Sequence, residues 1–529
     1  MIRLLALAFL FSTFANPTLA QRRAFPDDSI VPSLIVFITV DQLRQDYLER
    51  FGSQLTGGLA RMVRNGAVFT NAHQDHAITE TAPGHASTMS GRFPRNTGIV
   101  RNAPGVFDPQ APLVEGIGPG ASPFRFRGGT LIDWLRSKDQ RSRALSVSYK
   151  DRGAILPLGR ASQDVYWYSA NGRFTTSTYY ADTLPGWVKR FNARRVPASM
   201  AGQSWTPIHA AGSYPEPDSV NAESNGSNFV FPHVLPVDTI AAARAFPGFP
   251  WMDELTLDLA LEGLQQLKLG AGTQTDIVAI ALSATDVIGH RFGPDSKEIH
   301  DQILRLDRML GAFLDSLFVL RSPDKVVVAL TADHGVAPFP AVHNARKGGG
   351  GSARPVSLAP VVLALRRSLV ERGVDSTAVS FEDAILFVDR AKLVRAKVSA
   401  DSLVRAFAAE VRKVPGVQRV DSRQSLSRVD TARDAVARRW YNALTPDLPA
   451  ELVVTLAPFN FWEAVGYAQH GSPHDYDSNV PVIFFGRPFR AGRFQTFARV
   501  VDMAPTLAWV TATTPYERLD GHVLWQAMK

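Results

Sequence analysis

Four short apolar runs along the chain each stop at a polar or acidic residue or a glycine. They are SLIVFITVD (33–41), TDIVAIALSATD (275–286), DKVVVALTADHG (324–335) and NVPVIFFG (479–486). Their length and β-branched content predict strands buried on both faces, as in a parallel sheet covered by helices. Between them lie helical patterns: GGLARMVRNG (57–66), MDELTLDLALEGLQQL (252–267) and KEIHDQILRLDRMLGAFLDSLF (297–318). In the last, Ile303, Leu306, Leu310 and Leu314 recur at helical spacing. Strands alternating with helices predict an α/β fold, with a mostly parallel central sheet flanked by helices.

Two stretches break this rhythm. Residues from about 101 to 250 are rich in Pro, Gly, Ser and aromatics, and residues from about 340 to 450 open with KGGGGSARP. Both are expected to be insertions that cap one catalytic domain spanning 21–529. The first twenty residues, with Arg3 ahead of an apolar stretch from Leu4 to Ala15 and small residues up to Ala20, read as an export signal cleaved after Ala20. That stretch is shorter than the roughly 20 residues a membrane-spanning helix needs. No later run is long and apolar enough, so an exported protein without a stable membrane anchor, periplasmic or secreted, is expected.

Composition narrows the chemistry. The 529 residues include no cysteine, which removes disulfides, thiolate metal sites and cysteine nucleophiles. The formal charge of +8 suits anionic substrates, and equally a plain basic surface. No run of like charges points to nucleic acid.

In an open α/β sheet, ligands gather beyond the carboxyl ends of the strands. Asp41, Asp286 and Asp333 each stand at such an end. One aspartate there is often a helix cap; three together would repel one another without cations. Histidines accompany them: His290 four residues after Asp286, His334 beside Asp333, and His470 and His474 before the last apolar run. Carboxylate oxygens and imidazole nitrogens without thiolates form a zinc-compatible donor set. Thr81 sits where HAITETAPGHASTMSG turns from an extended stretch into small residues, either as a helix cap or as a hydroxyl on display. His73, His76 and His85 lie near it in sequence and are expected to play supporting or structural roles. Lys150 and Arg152 are two apart in SYKDRG, so an extended segment would point both cations the same way.

Taken together and in order, VDQLRQDYL, TETAPGHAS, SYKDRGAILP, GRFTTSTYY, SATDVIGHRFG, TADHGV and HGSPHDYDSNVPVIFFG resemble the alkaline phosphatase superfamily. The branch they resemble is that of exported threonine-nucleophile phosphomonoesterases, related to the nucleotide pyrophosphatase/phosphodiesterases. The similarity runs from about residue 33 to VVDMAPTLAWV near the C-terminus. The resemblance implies two zinc ions per chain. Asp286, His290 and His470 would hold one, with His474 as the alternative to His470, which is preferred because it precedes Gly. Asp41, Asp333, His334 and the Thr81 oxygen would hold the other.

It also implies that Thr81 attacks phosphorus and that Lys150, Arg152 and Asn102 bind the phosphoryl oxygens. Free N–H groups at a helix start beside Thr81 would share that charge. Substrates would be small phosphate esters. A dianionic monoester profits more from two cations than a diester does, which favours a phosphomonoesterase; a phosphodiesterase or nucleotide pyrophosphatase on the same metals is the alternative. After Asn102 the chain reads APGVFDPQ, without the tryptophan-containing stretch expected in this branch, which leaves the leaving-group side of the pocket open.

Overall fold

All four apolar runs become strands of one ten-stranded sheet in the computed structural model, which describes residues 25–26, 30–463 and 467–529. The expected export signal lies outside the described residues. Leu34–Val40 occupies the middle of the sheet, parallel to Asp276–Leu282 on one side and Val326–Thr331 on the other. Ala144–Ser148 and then Asp164–Ser169 continue the parallel set. Every residue of the three central strands is buried, which accounts for unbroken apolar runs where an alternating pattern would mark a half-exposed strand. The fourth run, Val482–Phe485, pairs antiparallel with Val326–Thr331 and with Ala67–Phe69, so the sheet is mostly rather than wholly parallel.

Helices Trp251–Gln266, Ala284–Phe292 and Lys297–Leu320 pack against this sheet or one another. In the longest, Ile303, Leu306, Leu310 and Leu314 are fully buried, and the Ser296 hydroxyl accepts from Ile299 N–H at 3.1 Å to start it.

The stretch 101–250 differs from the cap expected of it. Leu113–Val114, Ala144–Ser148, Asp164–Ser169 and Arg173–Ser177 all join the central sheet. Prolines and glycines between these short strands broke the apolar pattern, and Trp167, Tyr168 and Phe174 serve the core. Residues 340–450 supply most of a second, antiparallel sheet of four strands, Val379–Glu382, Ile385–Val388, Ala450–Leu456 and Val417–Ser422 in spatial order. It has its own apolar cluster around Leu369, Leu386, Val411 and Leu452. A further cluster sets Trp440 and Val453 against Ala77 and Ile78, and so seats this sheet beside the segment that leads into Thr81. Among the described residues no helix is long and apolar enough to cross a membrane.

Candidate functional site

Register brings the acids together. Thr39 stands opposite Thr331 and Val40 opposite Leu282, so the three central strands end level. Asp41 follows the first strand directly, Asp333 lies just past the second, and Asp286 sits in the first turn of helix Ala284–Phe292. One helical turn on, His290 turns its Nε2 to 3.3 Å from Asp286 Oδ1. His470 Nε2 lies 3.8 Å from the same oxygen and 3.2 Å from His290 Nε2. His334 Nε2 lies 3.5 Å from both Asp41 Oδ1 and Asp333 Oδ2.

These contacts define two groups with metal-ligand spacing, Asp286–His290–His470 and Asp41–Asp333–His334. The stacked rings of His334 and His470, 3.7 Å apart, join them into one cluster. His474 points elsewhere, its Nε2 bonded to the Leu456 carbonyl at 2.8 Å.

The donor set fits cations. In each imidazole Nδ1 faces a carbonyl: Ala468 at 2.6 Å for His290, Thr79 at 2.7 Å for His470, Gly335 at 2.9 Å for His334. Such a bond fixes the Nδ1–H tautomer and leaves Nε2 a bare acceptor, as metal-binding histidines require. His290 and His470 bring their Nε2 atoms to 3.2 Å of each other; burial opposes charge on His290, but Asp286 holds it above its usual value. Asp41 Oδ1, one oxygen of Asp333 and His334 Nε2 are buried without a hydrogen-bond partner. Burial, then Asp41, pushes the Asp333 carboxyl well above its ordinary range. Burial holds His334 down at about 4 and His470 well below its usual value, so both are neutral imidazoles. Crowded acids and bare imidazole nitrogens of this kind call for positive charge.

Lys150 supplies some of it. Its Nζ lies 2.7 Å from Asp41 Oδ2, 2.6 Å from Asp286 Oδ2 and 3.2 Å from Thr81 Oγ1. Burial opposes the charge on Asp286, but Lys150 and His290 overcome it and hold that carboxyl well below the ordinary range. Lys150 and Arg152 do not share an extended segment: Lys150 caps helix Asp151–Ile155 and Arg152 lies within it. Both still line one cavity, and Arg152 Nε is buried without a partner.

Thr81 is the first residue of helix Thr81–Thr88. Of the free N–H groups expected at the helix start, that of Thr81 has no acceptor among the described residues, while those after it are engaged. Ala82 N–H donates to Asn102 Oδ1 at 2.9 Å, Pro83 has none, and Gly84 N–H bonds the Glu80 carbonyl at 3.0 Å. The small residues have another use: a Cβ on Gly84 would meet the Asp333 carbonyl at 2.3 Å, so glycine lets the helix press against the metal-ligand loop. Asn102 belongs to a closed ring around Thr81. Its own N–H donates to Glu80 Oε2 at 2.6 Å, so residues 80 and 82 both grip Asn102 and bracket Thr81. Burial first, then Asp383, pushes Glu80 up to about 7.

Of the nearby histidines, His85 is buried with Nε2 3.4 Å from Asp333 Oδ2, while His73 bonds Ser478 and His76 bonds Gln74. Three participants escaped the sequence reading. Thr79 holds His470, Glu80 holds Asn102, and Gln42 spans the acids with N–H to Asp333 Oδ1 at 3.1 Å and Nε2 to Asp286 Oδ1 at 2.7 Å. Gln42 does so at φ 69°, a conformation costly for a residue with a side chain and common at functional sites. Their signal was adjacency, since each lies within two residues of Asp41 or Thr81.

Residues 35–348, more than half the chain, match the family described as type I phosphodiesterase / nucleotide pyrophosphatase. The chain belongs to that family. Among curated relatives of this family member, alkaline phosphatase PhoV of Synechococcus elongatus is 29% identical over 531 residues, covering 95% of each chain. Alkaline phosphatase PafA of Elizabethkingia meningoseptica is 29% identical over 503 residues, covering 90% of this chain and 91% of its own. The crystal structure of wild-type PafA superposes with a TM-score of 0.88 at 26% identity, over 96% of this chain and 100% of that one. Human ectonucleotide pyrophosphatase / phosphodiesterase 5 shares the fold at 13% identity and a TM-score of 0.51.

Proposed function

We propose that the chain is an exported alkaline phosphatase that hydrolyses phosphate monoesters through a phosphothreonine on Thr81. In this reading Asp286, His290 and His470 hold one zinc ion, and Asp41, Asp333, His334 and the Thr81 oxygen hold a second. The observation that carries it is the meeting of Thr81, both ligand groups and Lys150 within hydrogen-bond reach of one another. The activity named for PhoV and PafA supports the same reading.

Bound zinc supplies Lewis acidity, which favours an ionised threonine oxygen and a departing alkoxide. The Thr81 oxygen bonds phosphorus as the ester P–O bond opposite it breaks, and the alcohol leaves. Water then cleaves the phosphothreonine, releasing inorganic phosphate and restoring the hydroxyl. Lys150, already 3.2 Å from Thr81 Oγ1, exchanges its carboxylate partners for phosphoryl oxygens once those carboxylates are neutralised. Arg152 adds a planar pair of donors suited to phosphate. The Asn102 carbonyl is committed to Ala82, which turns the amide NH2 outward as a third donor.

The test is turnover of 4-nitrophenyl phosphate against bis(4-nitrophenyl) phosphate, with metal analysis of the same preparation. About two zinc ions per chain, faster monoester hydrolysis, and a loss of about a thousandfold or more in Thr81→Ala are expected. Lys150→Ala should cost the monoester about a hundredfold and the diester less. Faster diester turnover would transfer the assignment to a phosphodiesterase or nucleotide pyrophosphatase.

A further inference from the structure

Beside Lys150, Arg152 and His290 opens a cavity of about 470 Å³, in the size range of small-ligand pockets. Its inner wall is aromatic, from Tyr149, Trp167 and Tyr168. Its rim includes Ile117, which is 61% exposed yet firmly held: its N–H donates to Ser169 Oγ at 2.7 Å, and that hydroxyl donates back to its carbonyl at 2.9 Å. An exposed isoleucine alone means little. One pinned by both backbone groups, lining the same cavity as three aromatic residues, is placed to cover an apolar ligand.

Across the cavity, Arg244 stands exposed in the last turn of helix Thr239–Ala245. With Lys150 and Arg152 assigned to the phosphoryl group, Arg244 is a third cation left for a second anion. Asp286 and His290 also line this cavity, so it lies on the side from which one ligand group is reached.

Resting on the phosphatase reading above, we propose that this cavity receives the leaving group, and that the preferred substrates are phosphate monoesters of aromatic alcohols carrying a second negative charge. The aromatic ring lies against Tyr149 and Trp167 under Ile117, and the second anion meets Arg244. The wall selects flat apolar groups by burial; the guanidinium selects charge, at the modest strength of a solvent-exposed pair.

The experiment compares kcat/KM for phenyl, 4-carboxyphenyl and methyl phosphate in the wild type, Arg244→Glu and Ile117→Ser. Both positions are exposed, so folding is not at stake, and ratios cancel the differing reactivity of the esters. Arg244→Glu should lower the carboxyphenyl-to-phenyl ratio about tenfold. Ile117→Ser should lower the phenyl-to-methyl ratio about fivefold.

Inhibition constants for phenylphosphonate and 4-carboxyphenylphosphonate, which do not turn over, should show the same two shifts. Unchanged ratios in both variants, with Thr81-dependent turnover intact, would overturn the leaving-group pocket and leave the phosphatase standing. No monoester turnover by the wild type would remove the reading itself.

Discussion

The two ligand groups are built from the same chemistry but live in different surroundings. Asp41, Asp333 and His334 have wholly buried side chains, set by two adjacent strands of the central sheet. In the other group the His290 side chain is 34% exposed, and His470 comes from the chain beyond the second sheet. The enclosed group has orphaned oxygens that water cannot reach, whereas the open one borders the cavity beside Lys150. An enclosed acid pair depends on the few groups built around it, here Lys150 and the Gln42 N–H, and on any cation between them, so it is bound to folding; an open pair has solvent as an alternative. On the proposed reading, the enclosed group is tied to the fold as well as to the chemistry, and exchange with solvent and substrate belongs to the open one.

The largest expected effect tests that division. Both Asp41→Ala and His290→Ala should lower kcat/KM by about a thousandfold or more. Only the first should also weaken the fold, by about 1–3 kcal/mol, because it removes one of the two buried carboxylates on Lys150 and leaves Asp286 as the other. Thermal melts and metal analysis read this directly. Limited chelation should remove one ion first, and His290→Ala should already lack that ion. Equal destabilisation by both substitutions would erase the distinction.

A second effect of about tenfold concerns how Thr81 is held between the two groups. Glu80→Ala should lower kcat/KM about tenfold by freeing Asn102, and Glu80→Gln, which keeps an accepting oxygen, should recover most of it. In an Asn102→Ala background Glu80→Ala should cost little more, since the two residues act as one ring. Additive losses would show Glu80 acting by some route other than Asn102.

The contrast also explains what was readable beforehand. Asp41, Asp286 and Asp333 stood out because each closes an apolar run, and a strand buried on both faces leaves no other place for a charge. His290 was legible from helical spacing. The ring of Glu80, Asn102 and Ala82 was not, because it joins two main-chain N–H groups and two side chains across 22 residues. Lys150 among the carboxylates was equally hidden: the turn from extended cap to helix at 150–151 sets its direction, and a pattern of two misjudged it. The sheet strands within 101–250 were lost for a related reason, since short strands rich in aromatics carry no clear period.

The smallest predicted effect lies behind the open group. Segment Glu223–Gly226 packs against helix Ala284–Phe292, where Arg291 donates to Ser224 Oγ at 2.8 Å, one residue from His290. Glu223 is 3% exposed with an unpartnered oxygen, and burial first, then Glu298 and Asp218, raises it from about 4.5 to about 9. A carboxyl raised on folding binds a proton in the native state that the unfolded chain gives up. Its stability is therefore full below pH 4.5 and is lost as pH climbs toward 9.

Glu223→Gln holds a neutral group of the same shape and removes that loss. Melts should coincide with wild type near pH 5 and favour the variant by about 1 kcal/mol near pH 9, most of the ideal linkage being relieved by local relaxation. A matching substitution on the enclosed side, Thr39→Val, should show no such pH dependence, because it changes no titrating group. If Glu223→Gln and wild type lose stability in parallel up to pH 9, the alkaline sensitivity of the open side must come from another group, and Glu298 with its His233 partner at 2.7 Å is the next to test.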